Sequence, residues 1–538
     1  MNKLFKLKLL RCALPVSAAI MVFCSPLISM QRNSVEGRVI SQQSLQGLLD
    51  DLASVPVEYR ADIIFQIIQG HANVMPTRIQ ERALKELFED ARQAKYSAPL
   101  ITADGRYGTV SHQLELAFQW SPLDALDIQS RAVSLLRRHY PIEAWTMLQE
   151  IYLPSDRATC KDSLIPEFTP YYEVMVSSLA GMPDKILPNG QSKSNWLVDQ
   201  VDHISSPAQL RAFADALVQV KLSGAELSPV IDELVIRLSL ISGSDREMYG
   251  AEAGREGRLT ASISRLVSTE KRASIDPTSL LSTYRAFLQR NLRDAACADV
   301  SLNRPDEASA FNSIDTTLIG GPSKTVRALS AKDLSPLSTG DSASFESIDA
   351  GDSVYPQERR IGLVYQANQR VSSHSTDPDD YLQPIPQDVE DVLLAASKNR
   401  SQQDASLLSR FEDHSEILET LLIMLPPGPS YRDAVDAEME WLNQSGVEEG
   451  SPETWLRPFK SLLQISRPIT AQNLEEITRA QLKSGGQMIL MPNPDAVAVR
   501  QIMNRYRSDR VISVYLSFED IFHPNYVAFQ QSLRQPPL

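Results

Sequence analysis

Ser268 and Lys271, in the stretch STEK, stand at the Ser-x-x-Lys spacing that lets a lysine one helical turn on activate a serine hydroxyl. The blocks that complete such a centre, Ser-Asp-Asn and Lys-Thr-Gly, are absent, and a serine-rich chain meets this pattern by chance. GGPSKT at 320–325 resembles the end of a phosphate-binding loop. That loop needs a glycine directly before its lysine so that backbone amides can wrap the phosphates, and Ser323 stands there. GDSA (340–343) and GDSV (351–354) hold candidate nucleophiles, but on a stretch too soft in composition to fix a serine against a base; the nearest histidine is His374. FEDHSEILE (411–419) offers Glu412, His414 and Glu416 without the His-Glu-x-x-His order of a zinc helix, and DPDD (377–380) lacks the glycine and closing glutamate of a calcium loop. His71, His112, His139, His203 and His523 show no ligand spacing. The expectation is therefore no catalytic residue, no metal site and no cofactor.

The four cysteines are informative about compartment. Cys12 and Cys24 bound an uncharged apolar run behind Lys3, Lys6, Lys8 and Arg11, the pattern of an export signal and a short one for a membrane span. No clear cleavage pattern follows, so an uncleaved N-terminal anchor stays open. With residues 1–30 removed, Cys160 and Cys297 are the thiols left, and an oxidising space favours a disulfide between them. Two separately buried thiols are the alternative. No Cys-x-x-Cys pair or Cys/His cluster supports redox catalysis or zinc.

The 538 residues carry a formal charge of −14, which repels a phosphate backbone. LLRRHY (135–140) and QERR (357–360) are the densest basic stretches, and each is short enough to be a solvated helix end, so no nucleic-acid partner is expected. Membrane contact is expected at most through the N-terminal segment. Exported, periplasmic or extracellular placement follows from the signal alone.

The elements that would position any site are helices. Leu45, Leu48, Leu49 and Leu52 form one stripe, and Ile79, Ala83, Leu87, Phe88 and Ala91 another. A hairpin is predicted over 122–152, with Pro141 starting its second helix. A clearer one is predicted over 206–242, where Ser206-Pro207-Ala208-Gln209 and Ser223-Gly224-Ala225-Glu226 read as two capping boxes with a turn near 221–223. A further helix runs from Pro277 to Cys297. Tyr171, Tyr172, Trp145, Trp441 and Trp455 lie within helical patterns, as packing residues or, if exposed, as anchors for a partner peptide.

These features predict a mainly α fold: an irregular antiparallel helical array, α-solenoid-like, over 31–311. No fixed repeat period is found. Residues 312–385, rich in Ser, Asp, Gly and Pro, read as a partly disordered linker. A second helical region fills 386–538, within which QMILM (487–491) and RVISVYLSF (510–518) fit strand and buried helix equally.

RAVSLLRRHYPIEAWTMLQEI, CKDSLIPEFTPYYEVM, SPAQLRAFADAL and YRAFLQRNLRDAACAD, with LIMLPPGPSYRDAV and SPETWLRPFKSLL further on, resemble a group of uncharacterised secreted bacterial proteins built from helical hairpins. The resemblance implies a helical array and a cysteine pair at Cys160 and Cys297; it implies no activity. The expected role is a non-enzymatic exported protein that binds a protein or cell-envelope component. The alternatives are a hydrolase or lyase acting on an envelope polymer through a carboxylate groove, and a structural envelope protein.

Overall fold

The computed structural model describes residues 42–94, 123–154, 168–182, 187–241, 259–293, 304–334, 422, 428–445, 452–466 and 496–522. The described residues form sixteen α-helices and two strands of two residues each, the mainly α array that the stripes predict. Cys160 and Cys297 lie outside the described residues, as do residues 1–41 and 487–491.

The hairpins form where their start signals stand. In the first, α4 (Ala125–Leu136) opens on Asp124, whose carboxylate accepts the Asp127 N–H at 2.7 Å, and α5 (Pro141–Glu150) opens on its proline. The second pairs α8 (Pro207–Gln219) with α9 (Gly224–Leu240). The two caps differ from a common template. The Ser206 hydroxyl accepts the Gln209 N–H at 3.2 Å, but the Gln209 side-chain oxygen Oε1 accepts from the Ser205 N–H at 2.8 Å, one residue upstream of the reciprocal bond. At the α9 start the Glu226 carboxylate takes both the Ser223 N–H, at 2.8 Å, and its hydroxyl, at 2.6 Å.

Stacking is by next-but-one neighbour. Helix α3 (Thr77–Asp90) packs on α4, α4 on α6 (Thr169–Gly181), α6 on α8, α8 on α10 (Leu259–Arg272), and α10 on α12 (Arg304–Ser313). A second row runs from α5 through α7 (Lys193–Asp202) and α9 to α11 (Thr278–Arg293): α7 packs on α9 and α9 on α11, while Trp145 of α5 lies 5.0 Å from Trp196 of α7. Two rows of alternate helices are what a chain of antiparallel hairpins makes when each must bury its apolar stripe on the next. Aromatic pairs join the steps: Tyr172 on Phe213 edge-on at 5.6 Å, and Tyr284 on Phe311 at 6.2 Å. The open carbonyls at the end of α9 are closed from α11, where Arg290 donates to Leu238 O at 2.7 Å and Ile241 O at 2.9 Å.

Residues 312–334 depart from the expected linker. Ile319, Val326, Leu329 and Leu334 are buried in them, and β1 (Ile319–Gly320) pairs in parallel with β2 (Val326–Arg327). The Asn312 side chain both donates to Leu329 O and accepts from Leu329 N–H, at 2.8 Å each, which supplies the pairing a longer strand would have made. Low apolar content thus conceals a few well-placed anchors. Residues 335–385 lie outside the described residues.

The first and last of the described helices meet. Helices α13 (Pro429–Ser445), α14 (Pro452–Ile465) and α15 (Ala496–Arg505) pack on one another, and α16 (Arg510–Phe522) packs on α1 (Gln42–Leu52) and α2 (Val57–Gly70). Helix α16 contains 510–518, so that stretch is helix. Tyr59 of α2 meets Trp455 of α14 edge-on at 5.5 Å, and His71, at the end of α2, lies 4.5 Å from the Phe522 ring. The buried apolar residues of the array and of the C-terminal helices belong to one continuous core.

Candidate functional site

Ser268 and Lys271 both sit on α10 and turn to different partners. The Ser268 hydroxyl donates to Ser264 O at 3.0 Å, while the Lys271 ammonium pairs with Asp315. They do not form a nucleophile–base pair. GGPSKT folds as the connection between β1 and β2, where the Lys324 ammonium donates to Thr317 O at 3.1 Å. Strand β2 follows it directly, in place of the helix whose N-terminal amides would cradle a phosphate, so the phosphate-loop geometry is absent there. GDSA, GDSV, DPDD and FEDHSEILE lie outside the described residues. Among the described residues, no three His, Cys, Asp or Glu side chains stand close enough to hold a metal ion, and no helix is long and apolar enough to cross a membrane. In the basic stretch at 135–140, Arg137 is turned into the fold and donates to Ser177 O at 3.0 Å.

The aromatic residues singled out by sequence are packing residues. Trp145, Tyr171, Tyr172 and Trp455 are buried, and Trp441 is half-buried against the core. The exposed large apolar side chains among the described residues are others: Ile142 at 67%, Tyr152 at 73%, Ile236 at 52% and Leu240 at 66%. Ile142 opens α5 and Tyr152 follows its end; Ile236 and Leu240 stand one turn apart on α9. Three of the four thus lie on α5 and α9 of one row, and Tyr152 lies in the segment that leaves α5.

Among the described residues two buried acids stand out: Asp62, and Glu270, which lies inside the STEK stretch. The first joins α2 to α14 and α16. Asp62 on α2, 5% exposed, accepts from the Lys460 ammonium at 2.7 Å, from the Tyr515 hydroxyl at 2.7 Å and from Gln66 Nε2 at 2.8 Å. Burial, with the Asp62 charge against it, pushes the Tyr515 phenol well above its usual range, so the hydroxyl stays a donor. The second lies at the end of α10. Glu270 is 0% exposed, and neither of its carboxylate oxygens has a hydrogen-bond partner. Burial first, then the charges of Asp276 and Asp232, pushes its pKa up to about 8, so at neutral pH it holds its proton. One signal in the sequence could have found it: Glu270 continues the stripe of Leu259, Ile263, Leu266 and Val267, where a charge has no place.

Chemically, the first cluster is a satisfied ion pair that fastens two parts of the chain, and the second is a sealed acid. Among the described residues, the exposed apolar side chains on and beside α5 and α9 are the remaining feature open to a ligand. No family model matches the chain, and no curated protein and no solved structure shows significant similarity to it.

Proposed function

We propose that this chain is a binding protein, exported from the cytoplasm, whose helical array holds a protein or cell-envelope partner against the row formed by α5, α7, α9 and α11. One observation carries the reading: among the described residues the exposed large apolar side chains are Ile142 on α5, Tyr152 just after it, and Ile236 and Leu240 on α9, helices of that one row. Single exposed apolar residues are ordinary on any surface. Their restriction to one of two rows is the kind of asymmetry that a docking face requires, and Ile236 with Leu240 gives it a two-residue anchor. Export rests on the basic and apolar pattern of residues 1–30.

An enzyme working through a carboxylate groove would need its acids open to substrate. Glu270 is buried and is not such an acid.

The test is cross-linking in intact cells followed by capture of the full chain, run in parallel with Ile236→Asp/Leu240→Asp. The reading expects specific partners in the envelope fraction that the double variant loses. The same set from both proteins, or no specific partner from the unchanged chain, overturns it.

A further inference from the structure

The end of α10 closes in an unusual way. The Ser274 N–H donates to Lys271 O at 3.1 Å and the Ile275 N–H to Glu270 O at 2.8 Å, with Ser274 in the left-handed region at φ 60°. These are the two bonds of a Schellman termination, in which the residues at the places of Glu270 and Ile275 normally make an apolar contact. Ile275 is partly buried against the core, as that motif requires, but its counterpart is a carboxylic acid. Glu270 also stands in the last turn of its helix, where the backbone dipole disfavours a negative charge.

The neighbours of Glu270 offer no compensation. From α9, Asp232 faces it; from the turn leading into α11, Asp276 does, its carboxylate held ionised by the Thr278 hydroxyl at 2.7 Å and N–H at 3.1 Å. The nearby cations are engaged elsewhere. Lys271 is taken by Asp315, Arg265 by Asp215 of α8, and Arg290 of α11 by the carbonyls ending α9. The site is also tight: a Cβ on Gly224, at the start of α9, would lie 2.7 Å from Ala273 O. Water therefore enters only if the turn and the α9 start part.

We propose that the α10–α11 turn is a proton-linked joint in the array, closed while Glu270 carries its proton and opened when that proton leaves. In the open form the carboxylate is solvated and facing water, with an ordinary acidity. The closed form is then favoured at low pH, and opening grows as pH rises from the ordinary carboxylate range toward about 8, above which both forms are ionised and the effect levels off. Because α10 belongs to one row and α11 to the other, opening uncouples the two rows at this step of the stack.

Hydrogen exchange of the full chain at pH 6, 7, 8 and 9, corrected for the intrinsic rate, tests this in peptides spanning 266–282, with 125–150 as control. Opening in the first region is expected to rise on the order of tenfold per pH unit between 6 and 8 and then to level off. Glu270→Gln abolishes the rise, and Asp276→Asn, which keeps the turn acceptor but removes a facing charge, moves the plateau to lower pH. A flat profile in the unchanged chain, or an unaltered rise in Glu270→Gln, overturns the proposal. If Glu270→Gln fails to fold, an unmoved plateau in Asp276→Asn overturns it instead. Loss of the rise on adding calcium or magnesium chloride would show that the carboxylates hold a cation, which also overturns it.

Discussion

Removing the Tyr515 hydroxyl probes the closure of the chain most directly. Tyr515→Phe leaves the ring edge-on to Phe459 at 5.6 Å and deletes only the donor that lies 2.7 Å from Asp62. A hydrogen bond to a charged group is worth about 1.5–3 kcal/mol. Asp62 retains Lys460 and Gln66, so it is not stranded, and the expected loss is about 2 kcal/mol. Asp62→Ala removes three bonds at once and leaves the buried hydroxyl without its acceptor. Breaking a buried ion pair costs about 3–5 kcal/mol, but Lys460 is 29% exposed and can turn to water, which brings the expectation to about 3 kcal/mol. The decisive quantity is the coupling between Tyr515→Phe and Asp62→Asn in a double-mutant cycle, expected at about 1–2 kcal/mol. Urea unfolding followed by tryptophan fluorescence reads it, because Trp455 packs against both Tyr59 and Phe459. Hydrogen exchange over residues 59–68 and 511–519 should lose protection together in each variant. A coupling within the about 0.3–0.5 kcal/mol scatter of independent sites, or protection lost in one segment alone, would refute the docking of α14 and α16 on α2.

Other expectations follow from single positions. Ser274→Gly relieves a non-glycine residue at φ 60° and should raise stability by about 0.5–1 kcal/mol in urea unfolding. Gly224→Ala places a methyl against the Ala273 carbonyl and should cost about 1–3 kcal/mol, with exchange rising at the α9 start. Burial lowers the pKa of His71 beside Phe522, so the fold holds it neutral; stability should be full above about pH 6.5 and fall as pH drops below it, a slope that His71→Asn should flatten in acid titrations followed by circular dichroism.

The hairpins were the legible part of this chain. Ser206, Ser223 and Pro141 mark helix starts, and the apolar stripes behind them have nothing but each other to pack on, so pattern and structure agree over α4–α5 and α8–α9. Local pattern cannot carry the closure of the chain, because Asp62 meets partners 398 and 453 residues away. The same closure settles the ambiguity of α16: it packs on α1 and α2, and its phenol and rings reach α14 and the end of α2, so apolar residues cover most of its circumference and blur its period. Residues 312–334 misled composition because a two-residue strand pair and one asparagine amide do the work of a larger apolar surface. Glu270 was visible as a charge on a stripe, but its neighbours Ser268 and Lys271 form the more familiar spacing. Cys160 and Cys297, the residues sequence reasoning weighted most for covalent structure, lie outside the described residues.

The meeting of α16 with α1 and α2 has a bearing on biosynthesis. Leu45, Leu48, Leu52 and Ile64 emerge early from the ribosome, yet the helix packed on α1 and α2 is completed only at residue 522. At about 5–20 residues per second, the opening helices wait on the order of half a minute or longer with part of their oily surface uncovered. A nascent chain in that interval is a natural client for a holdase, and a product stopped before residue 510 would keep the surface bare and be prone to clump.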